Sequence, residues 1–388
     1  MNLVVILSRV PWPLDKGDKL RAYHQIRMLA QNHSIELIAL NDTDLHPDAK
    51  QELSKYCKKI HIIPLSKTGV FINLIKALFS GKPLQIGYFY SSSAYSKINN
   101  ILANAQADHI YGQLVRVAEY MRKRSIPTTL DYQDALSEGI RKRKVKAKGI
   151  KRLVFALEYK RLLKYETRMM DCFNNTTIIT AQDRDLIQHA DNEKITVVPN
   201  GVDMEFFHPM EKEKIYDVVF TGNMNYPPNI MAAKYLAIDI LPIVQKQYPK
   251  AKLLIAGASP HPSVRALASE WVSVSGWLDD IRTAYASSKV FVAPMQIGTG
   301  LQNKLLEAMA MKIPSVTSDM ANSALNAKRD VEIKVAQPQD KEAFAKHILH
   351  LLSDQQAAKQ QAQAAHKFVR EHYSWRASVD ILEQLFSK

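Results

Sequence analysis

Cysteine is nearly absent: Cys57 and Cys172 are the only two in 388 residues. Two thiols cannot build a disulfide framework or a metal cage, and such sparse use fits a reducing cytoplasm. No apolar run reaches the roughly 18 residues needed to span a bilayer. Residues 2–10 lack the basic start and long apolar core of a secretion signal. Internal repeats are absent, and low complexity is confined to a Gln/Ala-rich stretch at 355–365. No His/Cys/Asp group has metal-ligand spacing, so no metal site is expected. Nor is there a zinc-finger or RRM signature, which argues against nucleic acid as partner.

What remains looks like an ordinary soluble chain, 46% apolar. Its length suggests two domains of common size. Short apolar runs alternate with helical stretches from end to end, the pattern of βα units with buried parallel strands. The runs predict strands at 3–7, 35–40, 60–64, 109–111, 128–131 and 177–180. Further strands are predicted at 218–221, 252–256, 272–275, 290–293, 315–317 and 332–335. The fold class is therefore α/β, with two doubly wound sheets whose ligands bind at the carboxyl ends of strands.

Residues 290–318, VFVAPMQIGTGLQNKLLEAMAMKIPSVTS, are the most informative segment. A buried strand ends at Pro294, a loop with Gly298 and Gly300 follows, and a helix is predicted over 302–311. Strand, glycine loop and helix start make an anion site from backbone N–H groups and the positive end of the dipole. Lys304 puts a full positive charge in the first turn, where the dipole alone disfavours it; a phosphate bound there removes the objection. Glu307 lies one turn on, on roughly the same face, where a carboxylate beside a diphosphate can accept from ribose hydroxyls. An ordinary βα unit with a surface lysine is the bland alternative.

This stretch resembles the nucleotide-sugar signature of the family 4 retaining glycosyltransferases (GT-B fold), in which two glutamates eight residues apart flank a glycine loop and lead into LEAMAxGxPVVxS. Gly300, Leu306-Glu307-Ala308-Met309-Ala310 and Pro314-Ser315-Val316 match. The first glutamate is replaced by Thr299, and the glycine after the helix by Lys312. The resemblance assigns Glu307 to the ribose, and by analogy with a subgroup Lys304 to the diphosphate.

Other landmarks follow in the family's order. Gly17 and Arg21, after Pro11-Trp12-Pro13-Leu14-Asp15-Lys16, resemble the glycine loop that approaches the donor from the opposite domain; a turn glycine and a solvated arginine are the plain readings. Val197-Val198-Pro199-Asn200-Gly201-Val202-Asp203 is similar to the interdomain segment. Gly222 and Asn223 open a helix after strand 218–221, without the Arg and Lys usual there. Gly276, Trp277 and Leu278 match the loop that meets the nucleotide base, where Trp277 either stacks on the base or fills a core edge. Gln113 falls where the family has a histidine, while His109 is too early. Asp131 and Asp134 end the next strand, as acceptor-binding groups or helix caps. Asp183-Arg184-Asp185 spells a metal-binding DxD but opens a helix, which favours capping.

The resemblance implies the GT-B architecture: two Rossmann-like domains facing a central cleft, an acceptor domain at 1–192, a nucleotide-sugar domain at 193–370, and a helix at 371–388 returning to the first. The reacting centre falls to Lys304, Glu307, Arg21 and Gln113. The donor contacts fall to Gly17, Gly222, Asn223, Gly276, Trp277, Leu278, Thr299, Gly300, Leu301, Asn303, Lys304 and Glu307. The implied activity is transfer of a sugar, of hexosyl type, from a nucleoside-diphosphate sugar to a saccharide or lipid-linked acceptor, as in polysaccharide biosynthesis, with no metal or other cofactor. A GT-B epimerase and a non-catalytic polyanion-binding protein are the alternatives.

Charge is uneven. Residues 1–190 hold 30 Lys/Arg against 17 Asp/Glu, and residues 191–388 hold 22 against 21. The block Arg141, Lys142, Arg143, Lys144, Lys146, Lys148 runs into an amphipathic stretch. Such a block meets an anionic membrane face or is simply solvated. The apolar segment 70–79 is a second membrane contact or a buried helix. The expected location is cytoplasmic, peripheral to the inner face of the membrane.

Overall fold

A computed structural model describes residues 1–297 and 300–387, the Lys146 side chain excepted. The chain divides into two compact units, Met1–Pro199 with the residues from Ser378 onward, and Asn200–Ala377.

The first unit is built on a seven-stranded sheet in the order β3-β2-β1-β4-β5-β6-β7. Its strands are β1 (Asn2–Leu7), β2 (Ser34–Asn41), β3 (Lys59–Pro64), β4 (His109–Gln113), β5 (Thr128–Asp131), β6 (Asn175–Ile178) and β7 (Thr196–Val197). The second unit has six, β8 (Tyr216–Thr221), β9 (Leu253–Ala256), β10 (Val272–Gly276), β11 (Ser288–Ala293), β12 (Ser315–Ser318) and β13 (Lys334–Ala336), in the order β10-β9-β8-β11-β12-β13. Every pairing is parallel. Leu3 to Leu7 of β1 and Val290 to Ala293 of β11 are buried throughout, as strands covered on both faces must be. The strand order reverses between β1 and β4 in one sheet and between β8 and β11 in the other, which places a crevice at the carboxyl ends of those pairs.

Differences from the sequence reading are local. Strand β6 stops at Ile178 because Thr180 caps the helix Ala181–Arg184, accepting from Asp183 N at 3.0 Å and donating to Asp183 Oδ2 at 2.6 Å; the DxD is thus a helix start. Strand β13 begins at Lys334, since Glu332 closes the preceding turn by accepting from Lys328 N. The unforeseen β7 is too short to show a pattern. By pairing with β6 it draws residues 196–199 into the first unit, so the division falls at Pro199/Asn200 and not after 192.

The segment 70–79 lies in the helix Lys67–Ser80, capped by Ser66 and ended by Gly81 at φ +73°. It is not a buried helix. Ala77 is its only fully buried residue, while Phe71 is 65% and Phe79 88% exposed. The final helix, Trp375–Phe386, starts on Ser374, whose hydroxyl accepts from Ala377 N at 3.1 Å. Its Phe386 ring lies 4.5 Å from His109, and Glu383 meets His33 at 3.0 Å. His109 therefore faces this helix, bonded to Thr129, its pKa pushed down to about 4 by burial.

Candidate functional site

The switch point of the second sheet collects the candidate donor groups. Strand β8 ends at Thr221 and turns through Gly222 into the helix Pro227–Lys234, while β11 leads to the helix Asn303–Ala310. Gly298 and Thr299, in the loop between, lie outside the described residues.

Lys304, one residue into its helix, reaches back across the β8 turn. Its ammonium donates to Asn229 Oδ1 at 2.5 Å and lies 5.0 Å from the centre of the Phe220 ring. Among the described residues no carboxylate forms an ion pair with it. Burial lowers its pKa to about 8, against an opposing pull from Glu307. A cation held in protein with one amide and one aromatic face for company is incompletely compensated.

Gly222 is required here. Its φ is +148°, and a Cβ would stand 2.7 Å from Asn229 Nδ2 and 3.3 Å from Lys304 Nζ. Gly257, at φ +135°, is required by Gly222, whose carbonyl oxygen would lie 1.9 Å from its Cβ. The two glycines let the ends of β8 and β9 close up beneath the lysine.

Glu307 is oriented by a relay. Tyr285 donates to its Oε2 at 2.7 Å, and Thr221 Oγ1 is 2.7 Å from the same phenol oxygen. Oε1 has no protein partner among the described residues. Burial raises the carboxyl's pKa, with Tyr285 and Lys304 opposing. Beside it, Asn303 Oδ1 is buried with no hydrogen bond. The site thus offers one cation and two oxygen acceptors with spare capacity, arranged for an anion flanked by hydroxyls. Asn229, Tyr285 and Thr221 were not singled out from sequence. They come from three other elements, and no local spacing connects them to Lys304.

The other donor candidates lie around this centre. Asn223 holds the turn, accepting from Asn229 Nδ2 at its carbonyl and from Asn225 N at Oδ1. Leu301 and Leu278 pack against the core. A Cβ on Gly300 would meet nothing within 4 Å. Gly276 turns at φ +71° into Trp277, which is 73% exposed. The core-filling reading of Trp277 is therefore wrong: its ring stands free at the end of β10.

In the first unit several candidates turn out to be structural. Arg21 is fully buried, bonding Asp131 Oδ2 at 2.7 Å and the Val198 carbonyl at 2.9 Å. It is spent on the fold and not presented to a ligand. Asp131, equally buried, also accepts from Tyr111 at 3.0 Å and from Gln133 N at 3.0 Å, which removes it as an acceptor-binding group. Gln113 donates to Gln25 at 2.5 Å and accepts from Gln133 at 3.0 Å, and it backs a small depression with Ser8, Arg9 and Lys19. Gly17 opens the helix Gly17–Leu29, and a Cβ there would meet nothing within 4 Å. Asp134 lines a separate cavity, its carboxyl pushed up to about 6 by burial and then by Asp183.

In the basic block, Arg141 and Lys142 share Glu138, at 2.5 and 3.7 Å. Lys144 lies over Tyr159, and Arg143 and Lys148 are exposed. Glu158 and Glu166, the acids of the following helix Gly149–Met170, are buried. Glu158 accepts from Leu84 N and Gln85 N, and Glu166 from Ser137 N, so they add little negative charge to the surface. Cys57 is buried, its thiol pushed up to about 12, and Cys172 is half-buried; both are free. Among the described residues no cluster of three metal-type ligands occurs, and no helix is long and apolar enough to cross a membrane.

Residues 216–354, most of the second unit, match the family model described as glycosyl transferases group 1. An uncharacterized 44.6 kDa protein in the cps region of Klebsiella pneumoniae is 21% identical over 96% of both chains. A phosphatidyl-myo-inositol mannosyltransferase of Mycobacterium leprae is 29% identical over 46% of this chain and 49% of its own. Among solved structures, HepE of Anabaena in complex with UDP and glucose superposes with a TM-score of 0.70 at 13% identity, covering 99% of both chains. Over its site-bearing half the chain is thus similar to the group 1 glycosyl transferases, and its two parallel doubly wound sheets have the GT-B fold.

Proposed function

We propose that the protein is a retaining, family 4-type hexosyltransferase using a nucleoside-diphosphate sugar, with a saccharide or lipid-linked acceptor. The observation that carries this reading is the incompletely compensated Lys304 ammonium at the β8/β11 switch point, one helical turn from the free oxygen of Glu307. Lys304 and the start of its helix take the diphosphate, Glu307 the ribose hydroxyls, and Asn303 Oδ1 a further hydroxyl. The UDP and glucose bound by HepE support a donor of this class.

Departure of the diphosphate concentrates negative charge beside Lys304. An ammonium already in place stabilises that charge without reorganisation. It serves where other enzymes use a divalent ion, so turnover is expected to survive EDTA. In the retaining course the leaving oxygen takes the acceptor's proton on the face it vacates.

Membrane attachment belongs to the same reading. Exposed Phe71, Ile75 and Phe79 on one helix, and Ile150 and Leu153 with Lys151 and Arg152 on another, suit a cytoplasmic anionic bilayer face.

The test is incubation with a panel of nucleotide sugars and a lipid or saccharide acceptor, reading the product's anomeric configuration by NMR. A product with the donor's configuration is expected. An inverted product contradicts the retaining course, and an epimerised donor without acceptor contradicts transfer.

A further inference from the structure

A second cavity lies wholly within the first unit, at the carboxyl edge of its sheet, and the donor site makes no use of it. It has a volume of about 440 Å³. Its walls come from the segment after β4, the segment after β5, and the helices Leu84–Phe89, Leu136–Lys146 and Gly149–Met170. Leu84, Leu136, Ile140 and Phe155 are its apolar lining, Arg116 and Arg143 its cations, and Asp134 also lines it.

Arg116 is the informative residue. Its Nε and Nη2 both donate to Gln85 Oε1, at 3.2 and 2.9 Å, and its guanidinium lies 5.1 Å from the centre of Phe89. Among the described residues no carboxylate forms an ion pair with it. Arg9 lies over the same ring at 5.5 Å, but its charge is paired with Asp18 at 3.0 Å, which leaves Arg116 as the unpaired guanidinium of the two. The Glu158 carboxylate lines the cavity but is committed to Leu84 N and Gln85 N. A half-buried arginine with only a neutral amide as hydrogen-bond partner is poised for an anion, and its planar fork suits phosphate oxygens.

Apolar side chains continue outward from the cavity. Val154, which lines it, is 44% exposed, Leu157 45%, Leu153 70% and Ile150 80%. A purely hydrophilic ligand has no use for that path.

We infer that this cavity binds an anionic amphiphile, a phosphate ester on a hydrocarbon chain, as the head of a lipid-linked acceptor. The phosphate meets Arg116 and Arg143. A sugar hydroxyl donates to Asp134. The first carbons of the chain lie on Leu136, Ile140 and Phe155, and the remainder leaves over residues 150–157. This assignment rests on the reading that the acceptor is lipid-linked, and it fixes where that acceptor binds.

Isothermal titration of decyl phosphate, below its critical micelle concentration, tests it, with decanol and inorganic phosphate as separate arms. Decyl phosphate is expected to bind at least tenfold more tightly than either control. R116Q and R143Q should each weaken it by about tenfold, as for a lost charge-assisted contact; R143Q alters an exposed residue and keeps the test valid if R116Q folds poorly. Equal binding of inorganic phosphate would mean a phosphate site without a lipid, and unchanged affinity in both variants would place the ligand elsewhere; either overturns the inference. Wild-type titration with UDP, GDP and ADP runs alongside. Nucleotide binding without decyl phosphate binding overturns this site alone. Decyl phosphate binding without any nucleotide binding upholds the site and overturns the donor reading.

Discussion

Lys304 combines a lowered pKa with a single amide partner, and this makes nucleotide binding pH-dependent in a defined direction. Below about pH 8 the ammonium is charged in the free protein and affinity is flat. Above it, binding must first restore the proton, so affinity falls by up to tenfold per pH unit until the pKa of the complex is reached. K304M should lack this fall when nucleotide affinity is titrated between pH 7 and 9. Arg21 makes a contrasting prediction. Fully buried with Asp131, it leaves an uncompensated carboxylate when removed, and R21A should lose roughly 3–5 kcal/mol in denaturant unfolding. Lys312 sits at φ +55° just past the helix Asn303–Ala310, where the family signature has glycine. Lys312→Gly should stabilise the protein by about 0.5–1 kcal/mol in the same assay. The sequence made Lys304 and Glu307 legible because they are local, three residues apart on one helix. It also made Arg21 look like a ligand-binding residue. Its partners Asp131 and Val198 lie far along the chain, and only the folded sheet brings them together.

At the scale of elements, the parallel strands were readable because burial on both faces writes them as unbroken apolar runs. Their ends were not, because they are set by single side-chain contacts such as Thr180 to Asp183 and Glu332 to Lys328. The helix Gly149–Met170 shows a further limit of sequence reading. Its two acids look like relief from a basic run, yet they are buried against the starts of other helices. Glu166 Oε2 has no partner, and burial pushes the carboxyl up to about 7. With its folded pKa above the unfolded value, the native state holds more protons across that interval. Stability is therefore lost as pH rises from about 4.5 to 7. Melting temperatures should show this slope in the wild type, and E166Q should flatten it.

For the whole molecule, length and alternating pattern were enough for two doubly wound units; the first division falls at Pro199/Asn200, where the short β7 joins the first sheet, and the return to the first unit falls at Ser378 and not at 371. Whether the segment 70–79 is covered could not be fixed from sequence, because an apolar helix reads alike whether covered or bare. The structure leaves Phe71 and Phe79 bare, and the basic block lies in the same unit. Co-sedimentation with vesicles containing anionic lipid should therefore succeed and weaken with added salt. Replacing Phe71, Phe79, Ile150 and Leu153 by serine should abolish it without changing the melting temperature appreciably. Undiminished binding would remove the membrane from the account.

In the proposed reaction Lys304, at the start of the helix Asn303–Ala310, holds the leaving diphosphate. Calorimetric titration of UDP, GDP and ADP into the wild type and K304A is the decisive experiment. At least one nucleotide should bind the wild type and lose roughly 10- to 100-fold in affinity in K304A, the effect of removing a charge-assisted contact. Equal affinity in the two proteins would contradict that role.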